Sequence, residues 1–145
     1  MLKSFFHTGF VVRDLETSVA FYRDVMGLEL KARAERTGEF PEKLLGYQGA
    51  HLKVAFLNMG DGHWLELIQY IYPPSAAGHM ERKDLGASHL AFHVENIEGF
   101  YEEKRTRGLH FISSPAYLYD GGRIVRKALY AQDPDGNWLE FVELL

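Results

Sequence analysis

The chain has 145 residues, 46% of them hydrophobic, a formal charge of −4 and no cysteine. This size suits one globular unit with a sizeable core, and the charge gives no electrostatic reason to expect nucleic acid or an anionic membrane. The absence of cysteine excludes a disulfide framework, a thiolate nucleophile and any cysteine-based metal site. No uncharged apolar run approaches the roughly 20 residues that cross a bilayer, and the N-terminal stretch is too abrupt for a signal peptide, so a soluble cytoplasmic protein is expected.

In chain order, Leu2 to Val12 reads as a first strand interrupted by His7. Asp14 or Thr17 is placed to cap a helix over Ser18 to Met26, with Val19, Tyr22 and Met26 at helical spacing and Phe21 and Val25 widening the stripe. Gly27 ends it, and Leu28 to Thr37 alternates loosely as a strand. Gly38 to Gly49 reads as a loop, with a short helical turn at Pro41 to Leu45, long enough to lie across a pocket. His51 to Leu57 and His63 to Tyr70 form a hairpin through Met59-Gly60-Asp61-Gly62. A polar linker follows from Ser75 to Leu85.

The second half repeats that order: a strand from Gly86 to Val94, a helix from Ile97 to Arg107 stopped by Gly108, and a short strand from His110 to Ser113 before Pro115. The last two strands, Arg123 to Ala131 and Asn137 to Leu144, are joined by Asp133-Pro134-Asp135-Gly136, a strong turn signal. The repeat is visible residue by residue. His7-Thr8-Gly9-Phe10-Val11-Val12 corresponds to His89-Leu90-Ala91-Phe92-His93-Val94, 82 positions later. Lys53 to Leu57 and Gly60 to Leu67 correspond to Lys127 to Ala131 and Pro134 to Phe141 at an offset of 74, so the second half has lost about one short loop. The expected fold is α+β: paired βαβββ modules, eight strands and two helices in all, one sheet per half curved around a central cavity. Module one is 1–74, the linker 75–85 and module two 86–145 of a single domain.

The duplication singles out four residues. His7 and His89 hold equivalent first-strand positions, and Glu66 and Glu140 hold equivalent positions inside Trp-Leu-Glu. A carboxylate in the middle of an apolar strand is costly unless it is paired. Two imidazoles and two carboxylates around one point suit a divalent ion such as zinc, nickel, cobalt, iron or manganese, and affinity order does not choose among them. The chemistry is expected where the halves face each other. His93 shares the face of His89, but its counterpart is Val11, so it reads as structural. His51, His63 and His79 lie in or beside loops and read as surface residues. Arg13 follows the first strand and is placed to meet an anionic substrate group, while Tyr117, Tyr119 and Arg123 flank Gly121-Gly122 and are placed to lie along a substrate. No dinucleotide-binding fingerprint is present, so no nucleotide cofactor is expected.

The stretch from His7 to Leu28, with Gly86 to Val94 and Asp133 to Glu140, resembles the vicinal oxygen chelate superfamily, also called the glyoxalase/bleomycin resistance/extradiol dioxygenase superfamily. The resemblance covers nearly the whole chain. It implies the paired βαβββ modules, a homodimer, and a metal that chelates adjacent oxygens of a small-molecule substrate. Within it, His7, Glu66, His89 and Glu140 are similar to the metal set of bacterial glyoxalase I, in which one glutamate also moves the substrate proton. The implied activity is a metal-dependent lyase or isomerase, with Glu140 or Glu66 shifting a proton next to a carbonyl through a metal-stabilised enediolate. Methylmalonyl-CoA epimerase is also similar, but it normally carries glutamine at the Glu66 position and a catalytic glutamate where Tyr47-Gln48-Gly49 stands. Glyoxalase I usually has an asparagine that helps hold glutathione shortly after Glu66, where this chain reads Gln69-Tyr70-Ile71-Tyr72. Acyl-CoA or sugar-ketone epimerases, an extradiol dioxygenase using His7, His89 and Glu140, and a non-catalytic binding module are the alternatives.

Overall fold

The computed structural model describes residues 1–60, 62–76, 78 and 80–145, and the chain divides into two compact units, Met1–Ala77 and Gly78–Leu145. His79, and Asp61 of the expected first hairpin turn, lie outside the described residues.

The first unit runs β1 (His7–Val11), α1 (Leu15–Ala20), a π-helical turn (Phe21–Val25), β2 (Glu29–Arg36), α2 (Glu39–Leu45), β3 (His51–Gly60) and β4 (His63–Tyr72). Its sheet has the order β1-β4-β3-β2. β1 runs parallel to β4, and the other pairs are antiparallel. The second unit runs β5 (His89–His93), α3 (Ile97–Thr106), β6 (His110–Phe111), β7 (Ala116–Asp120), β8 (Arg123–Gln132) and β9 (Trp138–Leu144). Its sheet follows β5-β9-β8-β6, with β7 also paired to β8. β5 is again parallel to β9. The α+β class and one sheet per half are therefore as the repeat predicts.

Each helix follows the parallel strand and buries one stripe on its sheet. In the first unit Phe10, Val12, Leu15, Val19, Tyr22, Leu65 and Leu67 are buried, and in the second Ile97, Leu109, Leu129, Leu139 and Phe141. The Phe141 ring meets Phe92 at 5.7 Å and Phe100 at 4.6 Å, so β5, β9 and α3 share one aromatic core. Asp14 is the cap of α1: its carboxylate accepts from the Thr17 backbone N–H at 2.8 Å and the Thr17 hydroxyl at 2.7 Å. Those two bonds hold the Asp14 carboxyl below its ordinary value. Gly27 ends the helix with φ of +83°, open to glycine at no steric cost.

Several boundaries differ from the sequence reading, each for a local reason. The first strand begins at His7 rather than Leu2, because its partner β4 starts at His63 and offers nothing for the preceding apolar residues to pair with. α1 begins at Leu15 and passes into the π-helical turn instead of spanning Ser18 to Met26. The turn at 41–45 is a seven-residue helix, α2. The hairpin strands reach Gly60 and Tyr72.

Among the described residues β7 is a ninth strand where eight were expected. The sequence reading passed over it because all five of its residues are exposed, so it lacks buried-exposed alternation. It is bracketed by Pro115, which cannot donate to a ladder, and by Gly121-Gly122, whose φ values of +54° and +80° close a two-residue hairpin. β6 and β7 together occupy the edge of β8 that corresponds to the edge of β3 covered by β2. The eight-residue fall in offset is located here, since α2 and its flanking loops lie between β2 and β3 while Gly121-Gly122 alone joins β7 to β8. Among the described residues, no helix is long and apolar enough to cross a membrane.

Candidate active site

In each unit the helix covers one face of the sheet, and the polar residues of interest lie on the other. Successive side chains of a strand alternate between faces. Leu65 and Leu67 are buried toward α1 while Trp64 and Glu66 are only partly covered, and Leu139 and Phe141 flank Glu140 in the same way. The parallel registers then bring the first-strand residues alongside. His7 pairs with Trp64 and Gly9 with Glu66, and His89 pairs with Trp138 and Ala91 with Glu140. β5 settles which face of its strand packs: Leu90 and Phe92 are partly buried, while His89, Ala91 and His93 are exposed.

The result is one imidazole-carboxylate pair per unit. His7 Nε2 lies 3.1 Å from Glu66 Oε2, and His89 Nε2 lies 3.1 Å from Glu140 Oε2. The glutamate side chains are withdrawn from solvent, at 17% and 22% exposure, so each carboxylate depends on its neighbours for compensation. Two donors at right angles, each about 2.1 Å from one divalent ion, lie about 3.0 Å apart. The spacing in both pairs fits neighbouring ligands of such an ion as well as it fits a hydrogen bond. His7 Nδ1 is also buried without a hydrogen-bond partner. Among the described residues, no group of three or more histidine, aspartate and glutamate side chains is gathered as a metal cluster. The donor chemistry of each pair, one imidazole and one carboxylate, fits a divalent metal.

The pairs are not identical. Across the β8–β9 ladder Tyr130 faces Glu140, and its hydroxyl interacts with that carboxylate. The Tyr130 ring meets His89 edge-on at 5.4 Å. The corresponding residue in the first unit is Phe56, across from Glu66, with its ring 6.4 Å from His7. Burial first, then the Glu140 charge and the bond to it, hold the Tyr130 phenol above its ordinary value of 10.0, against an opposing effect of Arg82. The guanidinium of Arg82 stands 5.5 Å over the Tyr130 ring and 4.4 Å over the ring of Trp138.

Arg13, Tyr119 and Arg123 are not brought to these pairs within their own units. Arg13 is exposed beyond the end of β1 opposite His7. Tyr119 and Arg123 lie at the β7–β8 turn, at the far end of β8 from Tyr130, roughly 20 Å away along an extended strand. Tyr117 donates to Glu98 at 3.0 Å, which attaches β7 to α3. Among the other histidines, His51 pairs with Glu35, His63 meets the Phe5 ring at 5.2 Å, and His93 is exposed on β5.

The sequence reading missed Tyr130 and Arg82. It also missed a pair of side chains that fasten each helix to its sheet. Gln69 Oε1 accepts from the Leu15 backbone N–H at 3.0 Å, and Glu143 Oε2 accepts from the Ile97 backbone N–H at 2.9 Å. These residues are equivalent under the repeat, so the signal for them, and for the contrast of Tyr130 with Phe56, was present in the internal alignment.

A family model described as Glyoxalase/Bleomycin resistance protein/Dioxygenase superfamily matches residues 4–141. A lactoylglutathione lyase from Haemophilus influenzae is 30% identical over 94% of this chain and 90% of its own length. A 2-epi-5-epi-valiolone epimerase from an Actinomyces species is 28% identical over 95% of this chain and 78% of its own length. The fold is also that of a glyoxalase family protein from Bacillus cereus, with a TM-score of 0.87 over 100% of this chain and 96% of that one at 23% identity. A two-unit sheet architecture with one His-Glu pair in each unit, matched by the family model over nearly its whole length, makes this chain a member of the glyoxalase/bleomycin resistance protein/dioxygenase superfamily.

Proposed function

We propose that this protein is a metal-dependent lyase or isomerase that moves a proton on the carbon next to a substrate carbonyl. The observation that carries the reading is the repeated pair: an imidazole nitrogen 3.1 Å from a glutamate oxygen, at the same register, in both units. His7, Glu66, His89 and Glu140 would hold one divalent ion, whether zinc, nickel, cobalt, iron or manganese. When bound, that ion would stabilise the negative charge developing on the carbonyl oxygen and lower the barrier to proton loss.

A carboxylate removes the proton as general base and returns it as general acid. The two candidates differ in their surroundings. Glu140 is held by Tyr130 as well as lying beside His89, whereas the corresponding neighbour of Glu66 is the apolar Phe56. Glu66 therefore has the less constrained carboxylate and is the better-placed proton carrier, with Glu140 the more fixed ligand. A small-molecule substrate with adjacent oxygens and a homodimeric assembly belong to the same reading.

The proton step is shared by a glyoxalase I-type lyase and by an epimerase. One observation favours the epimerase among these: the stretch Gln69-Tyr70-Ile71-Tyr72 carries no asparagine where glyoxalase I holds glutathione. The relative named as a valiolone epimerase supports the same direction. The test is exchange of the substrate α-proton for solvent deuterium, followed by NMR, with a methylglyoxal-glutathione hemithioacetal and a panel of sugar-like ketones. Metal-loaded wild type exchanges at least one of them and His89→Ala exchanges none while keeping its circular dichroism spectrum. Equal exchange by metal-free wild type would contradict the reading.

A further inference from the structure

The segment leading into β5 is held against the second unit by specific bonds. Trp138 Nε1 donates to the Met80 carbonyl at 2.7 Å, which fastens the segment to β9. Just beyond, the Asp84 side chain accepts from the Glu81 backbone N–H at 3.0 Å, the Asp84 N–H donates to the Glu81 carbonyl at 3.0 Å, and the Ala87 N–H donates to the Asp84 carbonyl at 3.0 Å. Arg82 lies inside this turn. Its neighbour Lys83 is paired with Asp84 at 3.1 Å, whereas Arg82 has no carboxylate partner among the described residues.

The guanidinium of Arg82 instead lies over two aromatic rings, 4.4 Å from the centre of Trp138 and 5.5 Å from that of Tyr130. An arginine stacked on a ring face is oriented by the ring, and its N–H donors stay available in a planar fork that matches carboxylate or phosphate. The second ring also belongs to the candidate site, since Tyr130 stands across the ladder from Glu140 and its ring meets His89 at 5.4 Å. A cation with no carboxylate partner among the described residues is therefore fixed one aromatic ring away from the His89–Glu140 pair. Among the described residues no cation stacks on Trp64, the counterpart of Trp138, so this feature is not part of the duplicated frame.

We propose that Arg82 determines specificity: its guanidinium, held on Trp138 and Tyr130, binds an oxyanion that the substrate carries a few bonds from the carbon losing its proton. The substrate class is then an enolisable ketone bearing a carboxylate or a phosphate. This rests on the proton-transfer reading above, and two measurements separate its failure from the failure of that reading.

The first follows the indole N–H signal of Trp138 by NMR, identified with Trp64→Phe, while inorganic phosphate or acetate replaces chloride at constant ionic strength. A saturating shift in wild type that is lost in Arg82→Met supports the site, and the anion giving the tighter curve distinguishes phosphate from carboxylate. No shift, or the same shift in Arg82→Met, overturns it. The second compares α-proton exchange in deuterated water for dihydroxyacetone against dihydroxyacetone phosphate, and for hydroxyacetone against hydroxypyruvate. Wild type favours the charged member of at least one pair. Arg82→Met lowers that preference about tenfold through KM, as loss of a charge-assisted contact requires, and Arg82→Lys restores part of it. A preference unchanged in Arg82→Met overturns the proposal, because a purely structural stack alters both members of a pair alike. An anion-dependent Trp138 shift without exchange of any probe supports the Arg82 site and counts against the proton-transfer reading alone.

Discussion

Tyr130 stands directly across the β8–β9 ladder from Glu140 and its hydroxyl interacts with that carboxylate, whereas the equivalent pair in the first unit is Phe56 and Glu66. The Tyr130 hydroxyl thus gives Glu140 a polar neighbour where Glu66 has an apolar ring. Groups that orient a metal-binding carboxylate typically contribute about 10- to 100-fold to metal affinity. Tyr130→Phe is accordingly expected to weaken metal binding about tenfold, measured by competition with a coloured chelator, with little change in thermal stability.

The helix fastenings give a second expectation. Glu143→Ala leaves the Ile97 N–H without its acceptor and removes one partner of Lys127, which lies 3.3 Å from Glu143. The cost is roughly 1–3 kcal/mol in urea denaturation, the range for a lost partner of a partly buried donor. Glu143→Gln keeps an amide oxygen, the arrangement that Gln69 already uses at Leu15, and is expected to recover most of the loss.

Gly9 faces Glu66 from β1, where the second unit has Ala91 facing Glu140. A Cβ at Gly9 would meet Ile68 Cδ1 at 3.6 Å and Glu66 Oε2 at 3.7 Å, both ordinary contacts. Gly9→Ala therefore fits, and it gains roughly 0.5–1 kcal/mol by restricting the unfolded chain. A higher Tm with an intact His7–Glu66 pair is the expected outcome, and destabilisation would show that the backbone at Gly9 needs glycine.

The Glu98–Lys127 pair sets a pH dependence. Lys127 Nζ donates to Glu98 at 3.0 Å and holds its carboxyl below the ordinary value of 4.5, with Tyr117 acting in the same direction. Near pH 4.5 the unfolded chain then binds more protons than the folded one, so this contribution is complete above that pH and fades as pH falls through the lower folded value. Lys127 is raised above 10.5, chiefly by its bond to Glu98, so its share persists below that pH and is lost as pH rises through its folded value. Glu98→Gln is expected to flatten the acid limb of stability against pH, measured by thermal unfolding from pH 3 to 7.

The duplicated strand order, the cap at Asp14, the stop at Gly27, and the equivalent positions that set His7 beside Glu66 and His89 beside Glu140 were legible because each follows from local pattern or from internal alignment. β7 was not, since an exposed edge strand carries no alternation and is fixed by pairing with β8. The first strand was overextended because apolar residues 2–6 look like strand until the start of β4 is known. Arg82 was unreadable for a different reason. A charged residue in a polar linker acquires meaning only from the aromatic faces of Trp138 and Tyr130, which are some fifty residues away in sequence. Arg13, Tyr119 and Arg123 stand near strand ends and glycines, a pattern that does not tell one end of a sheet from the other.

Metal occupancy is settled by elemental analysis of the purified protein after reconstitution with divalent ions, wild type beside Glu66→Gln. Near one ion per chain is expected in wild type and clearly weaker retention in the variant, because Glu66 and Glu140 each supply a carboxylate oxygen 3.1 Å from an imidazole nitrogen. A wild-type protein that holds no metal under any of these conditions would contradict it and return the fold to the role of a small-molecule binding module.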